Sequence, residues 1–151
     1  IRLIQSVQNE IDILDKQIKI VVDEINSPII TIPGIGYTLA AIILAEIGDI
    51  ERFLTPAKLL AFAGMEPSTY QSGKFNASKT PMVKRGSTYL RWAILQAARL
   101  VPMRDDTFSA YLAKKRSEGK HFNIARSHLG KKLLRVIFYL LKNNTPFVPQ
   151  M

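Results

Sequence analysis

The stretch TIPGIGYTLAAIILAEIGDIERF, residues 31–53, decides how the chain is read. Thr31 to Gly36 places one proline and two glycines within six residues, so it reads as a tight turn. Tyr37 to Ile47 is rich in Ala, Ile and Leu on every side, which is the composition of a helix buried all round. Upstream, Ile4, Val7, Ile11, Leu14, Ile18, Val21 and Ile25 recur at alternating spacings of three and four with polar residues between them. That is a heptad seam, and it predicts one long helix paired with another helix, from the same chain or from a second copy, until Ser27-Pro28 stops it. A helix packed only on its own domain is the plainer alternative.

Downstream of the buried run the punctuation remains that of helices. Thr55-Pro56 is an N-cap followed by a first-turn proline, and Gly64 closes the short helix TPAKLLAFAG. Ser87 caps STYLRWAILQAARLV, which ends near Pro102. Asp105, Asp106 and Thr107 start a helix running to about Ser117 with Gly119 after it. The last helix, Asn123 to Asn143, is expected to turn Ile124, Leu129, Leu133, Leu134, Ile137, Phe138 and Leu141 inward and Arg126, Lys131, Lys132 and Arg135 outward. Between Pro67 and Gly86 the chain becomes polar and reads as a long loop or a small hairpin. The expected fold is mainly α: a coiled-coil-like helix over residues 1–27, then a compact helical domain over residues 28–151.

Bulk properties narrow the function classes. The chain has 151 residues, no Cys and two His, so disulfides, thiolate catalysis and cysteine-ligated zinc are excluded, and no protein-only metal site is expected in it. No apolar run is long enough to span a bilayer, so a soluble, cytoplasmic protein without a membrane partner is expected. The first residue is Ile, which predicts a piece of a longer protein. Net charge is +9, but residues 1–51 hold three basic against eight acidic residues, while the remainder holds eighteen against four. A basic body on an acidic stalk points to nucleic acid.

Two stretches could meet phosphates. The Pro-Gly-Ile-Gly turn before an Ala-rich helix resembles the hairpin of helix-hairpin-helix DNA-binding modules, in which amides at Gly34 and Gly36 would approach a phosphate unobstructed; close packing is the alternative role for both glycines. The loop PSTYQSGKFNASKTPMVKRG, residues 67–86, carries Lys74, Lys79, Lys84 and Arg85 without one acid, where a merely solvated loop would mix both signs. Arg91 and Arg99, eight residues apart, lie about 80° apart around a helix and make a candidate arginine-bearing face.

Within that loop stands Ser72, followed by Gly73. A serine hydrolase is not indicated: Gln71-Ser72-Gly73 lacks the two-glycine elbow, and His121 and His128 lie among Lys and Arg on predicted surface helices. No Gly-Lys-Ser/Thr phosphate loop is present. Phosphoryl transfer to a hydroxyl demands mainly an in-line oxygen and cations around the phosphate, which Lys74, Lys84, Arg85 and Arg91 could supply. On composition alone Ser72 reads as a turn residue ahead of a nucleophile.

The ordered set of a heptad helix, IPGIG with an Ala-rich helix, FAGMEPSTYQSG, MVKRGSTYLRWAI and a basic helix ending NNTPF resembles the C-terminal transposase domain of the insertion-sequence-one-ten family, the DEDD transposases that include bridge-RNA-guided recombinases. The resemblance covers nearly the whole chain. It implies DNA as substrate and, as in the bridge-RNA-guided members, a guide RNA as a further partner; the heptad seam is what points to a homo-oligomer joined through the N-terminal helix. It also implies an N-terminal RNase-H-like domain, absent from these residues, whose four acids bind a divalent metal such as Mg. Ser72-Gly73, following Gly64-Met65-Glu66-Pro67, matches the family's serine, and the resemblance makes Ser72 the nucleophile of DNA cutting and rejoining. Lys84, Gly86, Leu90 and Arg91 match the family's next positions. Without its metal-binding half, this chain alone is not expected to recombine DNA.

Overall fold

A computed structural model describes residues 1–67, 71–72, 75–76 and 82–149. The chain is mainly α, as its periodicity predicts. Among the described residues six helices follow in order: α1 (Arg2–Ile25), α2 (Tyr37–Ile47), α3 (Pro56–Phe62), α4 (Thr88–Leu100), α5 (Asp106–Ser117) and α6 (Phe122–Asn143). Short 3-10 turns at Pro28–Thr31, Ile50–Arg52 and Val101–Met103 link them. Two-residue strands β1 (Gln71–Ser72) and β2 (Phe75–Asn76) pair antiparallel, with Ser72 opposite Phe75.

α4 is the centre of the body, packed on α2 from one side and on α6 from the other. Its Leu90, Ile94 and Ala97 are fully buried beside Ile43 and Ile47 of α2 and Leu129, Leu133 and Leu134 of α6. The capping reads as the residue types dictate: Thr55 accepts from the Lys58 amide, Ser87 from Leu90 at 2.9 Å, and Asp105 from Phe108 at 3.0 Å. The Ser87 hydroxyl also donates to Oε2 of Glu46 at 2.6 Å, tying the start of α4 to α2.

α1 differs from the rest. Its 24 residues reach about 36 Å, yet only Val22 is buried, with Ile18 half-buried beside it. The heptad residues Ile4, Val7, Ile11, Leu14, Val21 and Ile25 are all exposed. The body therefore takes hold of α1 through Val22 and the seam residue Ile18, and the other six seam residues are left exposed.

The end of the chain folds back. The Phe147 amide donates to Oγ1 of Thr31 at 2.7 Å, and its ring stacks on Phe108 with centroids 5.6 Å apart. The tail thus pins α5 to the turn where α1 meets the body. α6 departs from the predicted facing at one end: Ile124 is exposed, because the first turn of α6 overhangs the body, whereas Leu129 to Phe138 line its core. Lys131 and Lys132 are half-buried rather than fully outward, and Lys132 lies over the Tyr111 ring at 4.5 Å.

Candidate nucleic-acid interface

The segment that carries Ser72 is held at its base by two chain passages lying side by side. Residues 62–67 leave α3 and residues 82–87 lead into α4. The Ser87 amide donates to the Phe62 carbonyl at 2.7 Å, Lys84 to Gly64 at 3.0 Å and Val83 to Glu66 at 3.0 Å. Pro67 bridges to Met82, and inside that bridge lies the β1–β2 pair containing Ser72. Gly73, Lys74 and Lys79 lie outside the described residues.

Two glycines make this approach feasible. Gly64 has φ of +65°, and a Cβ there would overlap the Arg85 carbonyl oxygen and stand 2.6 Å from Nη1 of Arg91. Gly86 has φ of +112°, and a Cβ there would overlap the Phe62 carbonyl. The backbones lie too close for any side chain, in a conformation that side chains disfavour.

Arg91 completes the base. Its Nη1 donates to the carbonyls of Ala63 at 3.1 Å and Lys84 at 3.2 Å, and Nη2 reaches Oγ1 of Thr88 at 3.4 Å. This guanidinium braces both passages, and its rigid fork suits the task. Lys84 is held at φ +58°, with Lys84 and Arg85 both exposed on the outer side. Arg99 is exposed too, about 12 Å further along α4 from the brace that Arg91 makes. Arg99 instead shares an exposed face with Tyr89 and Trp92, which are 71% and 49% accessible. The structure adds these two aromatics to the residues singled out above; their three-residue spacing, with Arg99 seven further on, is the signal that could have found them.

The Pro33–Gly36 turn lies at the other end of α4. A Cβ at Gly34 would stand 2.9 Å from Cα of Val101, so this glycine serves close packing against the end of α4. Gly36 is different: nothing stands within 4 Å of where its Cβ would be, and it is the N-cap of α2. With Leu100, Met103 and Arg104 the turn lines an open groove of about 660 Å³.

A second concavity lies at the foot of the Ser72 segment. It holds about 330 Å³, floored by Leu60 and Met65 and walled by Glu66, Pro67, Tyr111, His128, Lys131 and Arg135. Burial pushes the Lys131 ammonium below its usual range, with Arg135 adding to the effect. Burial also lowers His128, helped by Lys131, Lys120 and Lys115. Nearby, Glu118 bonds Lys115 and Lys120 at 2.8 Å each, and those bonds hold its carboxyl at about 2.

Among the described residues no three His, Asp or Glu side chains come together in a way that could hold a metal ion. No helix among them is long and apolar enough to cross a membrane.

Comparison with known proteins gives the geometry a context. Residues 26–113 match the model of the transposase IS116/IS110/IS902 family. Over 127 residues the chain is 30% identical to the 43.6 kDa protein of insertion element IS110 from Streptomyces coelicolor, covering 83% of this chain and 31% of that one. It is 29% identical over 128 residues to the transposase for insertion sequence element IS1328 of Yersinia enterocolitica, covering 83% and 38%. A pilin gene-inverting protein of Moraxella bovis is 29% identical over 118 residues, covering 78% and 37%. The chain spans about a third of the length of the curated relatives it matches.

Proposed function

This chain belongs to the IS116/IS110/IS902 transposase family, and from that premise we propose that it is the DNA-binding and serine-bearing part of a transposase or recombinase. Ser72 is the proposed nucleophile. Its hydroxyl oxygen attacks a DNA phosphorus and gives up its proton, while the sugar oxygen of one strand leaves and takes a proton up. The phosphoserine ester keeps the energy of the broken bond, so attack by a second strand's sugar hydroxyl rejoins DNA and restores the serine. Cations stabilise charge on the phosphate oxygens in both steps. Lys84 and Arg85 supply them from the base of the segment, with Lys74 and Lys79 assigned the same role from the sequence. Arg91 acts by holding that base in place. In this reading divalent metal would be held by an acidic domain elsewhere in the protein, and this chain alone binds DNA without recombining it.

The observation that carries this reading is the base itself. A loop serving only as a connection needs no two glycines without room for a Cβ and no arginine brace, whereas a nucleophile must be positioned to within about half an ångström. Tyr89 and Trp92 offer stacking surface to unpaired bases beside it. The exposed seam of α1 supports pairing with the same helix of a second copy.

The decisive experiment uses the full-length protein with Ser72→Ala. It is expected to bind DNA as the parent does and to form no covalent DNA adduct on a denaturing gel; an adduct that survives the substitution rejects Ser72 as nucleophile.

A second reading rests on the open N-terminus of α2. Gly36 and Arg104 would hold a phosphate there in a purely DNA-binding module, with Ser72 a turn residue. It expects strand exchange unchanged in Ser72→Ala, and DNA binding weakened with a flatter salt dependence in Lys84→Glu.

A further inference from the structure

α6 presents His128, Lys131 and Arg135 at spacings of three and four, so all three fall on one face, and that face forms a wall of the 330 Å³ cleft beneath the Ser72 segment. The opposite wall is Glu66 and Pro67, the last residues before the segment departs, and Tyr111 of α5 closes one side. From Pro67 to Ser72 the chain can extend at most about 18 Å, so the cleft lies within about five nucleotides of duplex rise from the serine.

From this juxtaposition we infer that the cleft binds one backbone phosphate of the DNA strand led to Ser72, held by Lys131 and Arg135, with the Tyr111 hydroxyl able to donate and His128 joining when protonated. The inference rests on the DNA-processing reading above and gives that site a second anchoring point. Three observations support it. First, the cleft has ample room for a phosphate. Second, its cations are not spent on one another's partners: the only carboxylate lining it, Glu66, forms no ion pair recorded among the described residues, and Glu118 is engaged by Lys115 and Lys120. Third, half-burial of Lys131 and His128 is unfavourable while the site is empty and is relieved by an anion, which makes the cleft a receptor rather than a solvated surface.

Proton linkage gives the site a signature. The groups facing His128 are Lys131 and Arg135 from α6, Tyr111 and Lys115 from α5, Glu118 and Lys120 from the connection between them, and Glu66 from the base. Burial first, and then the surrounding cations, lower the His128 imidazole and so favour its neutral form in the free protein. A phosphate in the cleft reverses that balance, and binding takes up a proton.

The test is fluorescence anisotropy of this chain with a fluorescein-labelled DNA duplex of mixed sequence and with single-stranded RNA, titrated at several salt concentrations and between pH 5.5 and 8. Lys131→Gln combined with Arg135→Gln is expected to weaken DNA binding roughly tenfold and to lower the salt slope by about one, with the circular-dichroism melt unchanged. Glu66→Gln is expected to tighten binding roughly threefold, a gain that misfolding cannot produce. DNA affinity rises as pH falls, and His128→Asn removes that rise while His121→Asn retains it. Parent-like affinity and slope in the double variant overturn the cleft site and leave the DNA-processing reading standing. A loss confined to RNA overturns the DNA assignment, and a parent chain that binds no DNA overturns both.

Discussion

The guanidinium of Arg91 donates to the main-chain oxygen of Lys84 at 3.2 Å, and with the same nitrogen to Ala63 at 3.1 Å. Two residues that the sequence presents as equivalent cations thus have unequal roles: one fixes the backbone from which the other projects. Arg91→Lys keeps the charge but loses the fork, and is expected to cost about 2 kcal/mol in urea unfolding. Lys84→Gln, whose side chain is exposed, is expected to leave the midpoint unchanged and to weaken only DNA binding.

Gly86→Ala and Gly64→Ala test the close approach of the two passages. Each forces a Cβ onto a carbonyl at positive φ, so a loss of about 3 kcal/mol or more is expected in thermal melts. Gly119→Ala is the control: its φ is +77° but nothing stands within 4 Å, and a cost of about 1 kcal/mol is expected.

Ser87 couples two helices through one hydroxyl. Ser87→Ala removes both the cap on Leu90 and the bond to Glu46, with an expected loss of about 2 kcal/mol. In a double-mutant cycle with Glu46→Ala the effects should fall short of additive, because either change breaks the same bond.

Acid should loosen the end of α5. Glu118 has its carboxyl lowered to about 2 from 4.5 by its bonds to Lys115 and Lys120. A depressed carboxyl stabilises the fold above its unfolded value, and that contribution is lost as pH falls from about 4.5 through about 2. Amide exchange at residues 115–120 is expected to accelerate across this window, and Glu118→Gln to show fast exchange already at pH 6. A window unchanged by that substitution would reject the assignment.

The α1 seam predicts self-association. Sedimentation of the chain is expected to give a dimer, and Leu14→Glu, placed mid-seam and away from the body, a monomer of unaltered helicity near the body. An unchanged mass would reject pairing through this face.

Much of the helical plan was legible from local chemistry, because caps, heptad spacing and glycine stops act over a few residues. Thr55, Ser87 and Asp105 accept the amides their positions require, and the ends of α3, α4 and α5 fall within a residue or two of where the sequence puts them. The basic loop and its serine could be picked out for the same reason, as a local absence of acids. What a residue does when its partner lies far along the chain could not be read this way. Arg91 looks like one more cation until the return of residues 82–87 beside residues 62–67 brings two carbonyls to it. Gly34 looks replaceable by any turn residue until Val101 leaves no room for a Cβ. Phe147 joins the body only where Phe108 and Thr31 receive it, and His128, Lys131 and Arg135 become part of a cleft only when Glu66, Pro67 and Tyr111 complete its lining. The sequence by itself determined which residues form helices, where each begins, and that the body is basic. Tertiary structure decided which charges are structural and which are free, because hydrogen bonding and desolvation depend on neighbours that only the packed fold assembles.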